Sequence, residues 1–255
     1  MEIIMIGLAF FTSALTAVTA AGGGMLLISA MTLVMPVHIV IPLHAVTQLA
    51  SNFSRAALSY HSIVWRVALP FTIGVLLGMP GALEVYSRFE MRFSALPLGI
   101  FVLLMVWIPP HRLQWRTYTE SDAAQKSHLS WRTLVGRGAF AGLGFIQSFL
   151  TLFVGSSAPL NLPFLLQQRL RRDQLVATSA IMMTGVSAIK ILIFTAVGFP
   201  FSAHAGLLCA LVVAVFAGSW SGTRLRQRIP EQSFTRILKI LLTLLALRLV
   251  LISLI

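Results

Sequence analysis

The chain has 255 residues, 57% hydrophobic and 10% charged, with 19 Lys and Arg against 7 Asp and Glu and a formal net charge of +12. Soluble domains carry about 25% charged residues, so a water-soluble fold is excluded and the composition is that of an all-α polytopic membrane protein. The excess of cations does not point to nucleic acid, because they sit in short connectors between apolar runs, where the fitting partner is a bilayer with anionic headgroups.

The first apolar run, from Ile3 to Met35, is about 33 residues, or roughly 50 Å as one helix against a hydrocarbon core of roughly 30 Å. Gly22-Gly23-Gly24 interrupts it. The run therefore predicts a half-span from Ile3 to Ala20, a break at the glycines and a continuation from Met25 to Met35, closed by Pro36. Glycines that only pack against another helix are the competing reading. The start Met1-Glu2 has no basic n-region, so no cleaved signal peptide is expected. A second span covers Ile39 to Tyr60 and carries Thr47, Gln48, Ser51, Asn52, Ser54 and Arg55; a third runs from Val67 to Leu83 and a fourth from about Phe93 to Ile108. Residues 111–133 form a polar linker holding Arg112, Arg116, Glu120, Asp122 and Lys126. Beyond it the pattern repeats: Leu134 to Val154 with Gly155-Ser156-Ser157, then Gln174 to Val197, Ala205 to Gly222 and Phe234 to Ile255.

Gly22 falls on Gly155 at an offset of 133, Ala45-Val46-Thr47 on Val176-Ala177-Thr178 at 131, and Gly78 on Gly218 at 140. The order of these matches predicts about eight transmembrane helices in two homologous four-helix repeats, residues 1–110 and 134–255, each with a broken first helix. Four spans is an even number, so the two repeats are expected to share one orientation, related by an axis along the membrane normal; a re-entrant hairpin at either break would change that parity. Repeats with breaks at corresponding positions are the sequence pattern of a secondary transporter. The connectors holding Arg88 and Arg92, Arg169 to Arg172, and Arg224 to Arg228 would then share the cytoplasmic face, with both termini outside. Homo-oligomerisation is left open.

Ionisable residues within spans are functional candidates by default. Arg55 and Lys190 are the two, and no Asp or Glu falls near mid-membrane. Cations and hydroxyls without a carboxylate suit a small anionic substrate, and the alternative is that both cations snorkel to the interface. Free backbone N–H groups at a break also attract negative charge. Thr19, Gly22, Gly23 and Gly24 would supply them in the first half, with Gly155, Ser156, Ser157 and Asn161 in the second. Thr47, Gln48, Asn52, Thr178 and Ser179 would line the route between, unless they only bond neighbouring helices. His44 reads as a polar boundary residue. One cysteine and six histidines without ligand spacing predict no metal and no cofactor. Gly218-Ser219-Trp220-Ser221-Gly222 is off the GxSxG pattern and lacks a base, so no catalytic residue is expected.

The Gly22-Gly23-Gly24 break, Pro36 followed by Ala45-Val46-Thr47, the Gly74/Gly78/Gly81 span, and the second copy at Gly155, Pro159 and Ala177-Thr178 resemble the TauE/SafE sulfite-exporter family. The resemblance covers nearly the whole chain and implies a multi-pass permease of a bacterial inner membrane, moving sulfite, sulfonates or related sulfur-containing anions. The second copy departs from the glycine-rich break by carrying Ser156-Ser157. A membrane scaffold or assembly subunit is the alternative, and an intramembrane hydrolase a more distant one.

Overall fold

The computed structural model describes residues 2–19, 22–88, 131–161 and 170–225, with isolated positions at 100, 103, 164, 165, 168, 243 and 247. The fourth and eighth expected spans and most of the linker lie outside these residues. Among the described residues there is no strand. Seven helices are described: α1 Glu2–Thr19, α2 Gly23–Met31, α3 Val37–Leu58, α4 Trp65–Arg88, α5 Trp131–Val154, α6 Arg172–Ala196 and α7 Ala205–Leu225. The expected spans agree with them to within a few residues. Trp131 and Arg132, assigned to the linker from sequence, open α5, and Pro36 ends the first run by standing at the N-cap of α3. Among the described residues, three helices are long and apolar enough to cross a membrane: Trp65–Arg88, Asp173–Ala196 and Phe201–Leu225. Ile3–Val18 and Gly138–Leu152 are shorter apolar helices.

Two helix pairs pack closely because glycines let backbone meet backbone. On α4, Gly74 lies against the Ala141 carbonyl, Gly78 against Phe145 and Ser148, and Gly81 against Phe149, all on α5. On α7, Gly218 lies against Phe10 and Ser13, and Gly222 against Ala14, all on α1. Residue numbers rise together in both pairs, so α4 runs parallel to α5, and α7 parallel to α1. The crossings correspond position for position, with offsets of 140 between Gly78 and Gly218 and 135 between Phe145–Ser148 and Phe10–Ser13. Ser13 fixes the second crossing through its hydroxyl, 2.7 Å from Ser51 Oγ, 2.8 Å from Ser219 Oγ and 2.8 Å from the Val215 carbonyl it donates to.

Between these pairs α3 packs on α6. His44, early in α3, sits by Lys190, late in α6. Asn52 and Arg55, late in α3, share a cleft with Ser179, Ala180 and Met183, early in α6. The Val64 backbone N–H, just beyond α3, donates to Thr178 Oγ1 at 3.0 Å. Numbers rise on one helix as they fall on the other, so α3 and α6 are antiparallel. This corrects the expectation of a shared orientation. The parity argument counted the first run as one pass, but Gly23, at the start of α2, returns to the level of Thr12 and Thr16. The chain reverses at the break, and the extra pass turns an even count into an odd one. The grouping of arginines changes with it. The start of α4, the start of α6 and the end of α7 lie at one end of the bundle, bringing Arg66, Arg171 and Arg224 together. Arg88 stands at the other end, in an exposed pair with Glu84.

The outer faces fit lipid. Leu69, Ile73, Leu76 and Leu77 on α4, and Val213, Phe216 and Trp220 on α7, are exposed at helical spacing. In water such stripes would be unfavourable; against acyl chains they cost nothing.

Candidate functional site

Each of the three glycines in the first break has its own physical reason. Gly22 has φ 94°, a left-handed conformation that other residues adopt only with strain. A Cβ on Gly23 would run into the Thr12 carbonyl and the Thr16 hydroxyl, so the start of α2 can lie on α1 only as bare backbone. Gly24 faces the Gln48 amide, 3.3 Å from where its Cβ would stand. In α2 the Leu26 N–H bonds the Gly22 carbonyl at 3.0 Å, and no side chain caps the helix. The N–H groups of its first turn therefore have no partner within the helix, and its positive dipole end is buried with them. All nine residues of α2 are buried.

The second break follows α5. Gly155 has φ 72°, and its N–H closes α5 on the Thr151 carbonyl at 3.0 Å. A Cβ there would meet the end of Ile28 from α2, which ties the second break to the first. Ser156 and Ser157 follow, then the short turn Ala158–Leu160. Ser157 Oγ donates to Gln147 Oε1 at 3.3 Å, and Gln147 Nε2 donates to Asn161 Oδ1 at 2.6 Å, forming a buried polar chain beneath the break.

The two breaks meet at one cleft. Gly22, Gly24 and Met25 form one wall, with Thr16 of α1; Ser156 and Ala158 face them; α3 contributes Gln48, Asn52 and Arg55, and α6 contributes Ser179, Ala180 and Met183. Arg55 is 3% exposed. Its Nε donates to the Ser51 carbonyl at 3.2 Å and one terminal nitrogen donates to Asn52 Oδ1, which aligns the guanidinium along α3. Among the described residues it is the cation on the cleft wall, and no carboxylate lines it. A buried guanidinium, a helix N-terminus without a side-chain cap, the hydroxyls of Ser156 and Ser179, and two amides form a donor-rich surface for an anion. The cleft is narrow, with room for about one water molecule.

Of the residues singled out from sequence, Gly22, Gly24, Gln48, Asn52, Arg55, Ser156 and Ser179 are brought to this cleft. Others lie elsewhere. Gly23 packs on α1, and Thr47 turns its hydroxyl to the Leu43 carbonyl of its own helix at 2.9 Å. Thr178 accepts from Val64. Ser157 and Asn161 join the Gln147 chain. Gly155 anchors the break from behind, and the Thr19 side chain is outside the described residues. Lys190 is 2% exposed and donates from Nζ to the Gly155 carbonyl at 2.6 Å, off the cleft wall. Neither cation snorkels. His44 is not a boundary residue either; it is 1% exposed and donates from Nε2 to the Gly24 carbonyl at 2.9 Å.

Sequence reasoning missed Thr16, Met25, Ala158, Ala180 and Met183. Thr16 carried a readable signal, since Thr12, Thr16 and Thr19 lie on one helical face leading to the glycines. The other four are apolar, and nothing in their type sets them apart from core.

A family model for the sulfite exporter TauE/SafE matches residues 5–249. The chain belongs to the TauE/SafE sulfite-exporter family. Membership makes it a multi-pass membrane protein of a family of sulfite and sulfur-anion permeases, whose members are transporters rather than enzymes. No curated protein and no solved structure matches the chain.

Proposed function

We propose that this TauE/SafE member is a secondary transporter of small sulfur-containing anions, sulfite or organosulfonates, bound where its two breaks meet. The observation that carries the reading is Arg55, a buried cation on the wall of a cleft that also receives the N-terminus of α2 and Ser156 of the second break. A guanidinium placed beside a helix N-terminus and serine hydroxyls favours an anion there, because each of these groups presents donors or positive potential to it.

The architecture we propose is two inverted repeats, residues 1–110 and 134–255, each of about four helices plus a reversed break segment and joined by the polar linker 111–133. The matching glycine crossings and the antiparallel α3 and α6 support it. Inverted repeats around a site at broken helices allow alternating access by rocking one repeat against the other. The narrow cleft corresponds to an occluded stage of that cycle, and the anion enters when α3 and α6 part on one side. With Arg66, Arg171 and Arg224 at one end, the positive-inside rule makes that end cytoplasmic in a bacterial inner membrane. The partners this function requires are the anion and the bilayer.

The test is flux of labelled sulfite into proteoliposomes. We expect saturable uptake above protein-free vesicles, competed by an organosulfonate but not by a cation, and at least tenfold lower in Arg55→Met. Flux equal to that of empty vesicles, or undiminished in Arg55→Met, overturns the proposal.

A further inference from the structure

The cleft leaves unused Lys190, which with Arg55 is one of two buried Lys or Arg side chains among the described residues. Its Nζ reaches the Gly155 carbonyl at 2.6 Å, and no carboxylate pairs with it among the described residues. Beside it, from α3, stands His44. A carbonyl only accepts, so the bond from His44 Nε2 to Gly24 places the ring hydrogen on Nε2. Nδ1 is then a bare acceptor, buried and without a partner among the described residues. His44 lies within electrostatic reach of Lys190 and beside the Gly155 carbonyl as well. Two ionisable side chains thus hold the backbone of both breaks from behind, Lys190 on Gly155 and His44 on Gly24. Their surroundings supply little other charge. Of the other titratable groups on α3, Arg55 is three turns from His44, and His38 is exposed at the helix start, six residues away. From α4, Tyr86 stands edge-on to Phe194, one turn beyond Lys190, with ring centroids 5.5 Å apart. The last turns of α5, the whole of α2, and α1 beyond Glu2 carry no titratable residue.

Burying an ammonium without a counter-charge is costly, and a second cation beside it more so. The pair therefore holds a proton most readily when negative charge stands nearby. The cleft puts that charge one residue away, because Ser156 follows Gly155 and Gly24 itself lines the wall. We infer that the Lys190–His44 pair is the transporter's coupling-ion site, taking up one proton with each anion that occupies the cleft, so that proton and anion cross together. The inference rests on the anion reading of the cleft. The proton comes from the aqueous face on which the anion enters, adds to the uncharged pair, and leaves with the anion on the other face. Linkage is reciprocal: if the anion favours the protonated pair, acid pH strengthens anion binding by the same factor. Because the two groups interact, the proton belongs to the pair.

The test uses the full chain in detergent and measures two quantities, the dissociation constant for an anion across mildly acid to mildly alkaline pH, and proton uptake on mixing in weak buffer. The probes are methanesulfonate, which keeps one negative charge throughout, and sulfite, corrected for its own protonation. We expect uptake approaching one proton per anion bound, with Kd rising up to about tenfold per pH unit on the alkaline side. Lys190→Arg, which keeps its charge, should bind with a Kd flat in pH and no proton uptake. Anion binding by the wild type without proton uptake overturns the inference and leaves the cleft as an anion site, whatever becomes of the variant. Undiminished uptake in Lys190→Arg overturns it too. Failure of the wild type to bind either anion overturns the anion reading and this inference with it.

Discussion

Gly23→Ala isolates what the first break requires of its backbone. The added methyl would meet two groups of α1. The Thr16 hydroxyl can turn away at the loss of its 2.7 Å bond to the Thr12 carbonyl, but that carbonyl is part of a helix and cannot. To restore ordinary contact α2 must lift from α1 by about 1 Å, and its buried side chains, Ile28 against Gly155 among them, must follow. Overpacking of this kind costs about 1–3 kcal/mol, which for a chain of this size lowers Tm by roughly 4–8 °C at the middle of that range. The shift also moves the N–H groups of α2 relative to Arg55, so flux should fall further than stability alone explains. The control is Gly7→Ala in α1, where a Cβ meets nothing and helix propensity improves by up to about 1 kcal/mol. Thermal unfolding in detergent, paired with proteoliposome flux, reads both quantities. A Gly23→Ala protein as stable and as active as wild type would refute the packing argument.

Other positions separate the remaining parts of the account. Gly155→Ala should lower Tm by more than Gly198→Ala: both glycines have positive φ and share a strain of about 1–2 kcal/mol, but only at Gly155 does the methyl also strike Ile28. Equal effects in unfolding scans would contradict the contact. Ser13→Ala removes the hydroxyl that joins α1 to Ser51, Ser219 and Val215, and should cost about 1 kcal/mol, read from the same scans, with no change in anion Kd. In a Cys209→Ser background, which removes the exposed native thiol, Val64→Cys with Thr178→Cys should join through a short bis-maleimide. Absence of that link in membranes would contradict the antiparallel placement of α3 and α6.

The two breaks were legible in sequence because their cause is local. Three glycines in an apolar run too long for one span, and a glycine followed by two serines at the matching place, state their own need for special backbone. Helix extents were legible for the same reason. The direction of the chain after Gly22 was not, because it depends on Gly23 meeting Thr12, a contact that residue types do not announce. That single reversal decides whether α3 and α6 run together or opposed, and so which arginines share an end. At the site, Arg55 and Lys190 looked alike as lone cations in matching spans. Only packing shows that one lines the cleft while the other holds a carbonyl behind it. His44 was misplaced for a related reason: four residues before Gln48 and near a span start, it resembles a boundary residue until α2 folds back and brings the Gly24 carbonyl to it.

The central claim is that Arg55 holds an anion between the breaks. Equilibrium binding of sulfite to the purified protein, wild type against Arg55→Gln, tests it most directly. Hydrogen bonds to a charged group contribute about 1.5–3 kcal/mol, so the variant should bind on the order of 10- to 100-fold more weakly while unfolding within a few degrees of wild type. Equal affinity in the two proteins would contradict the account.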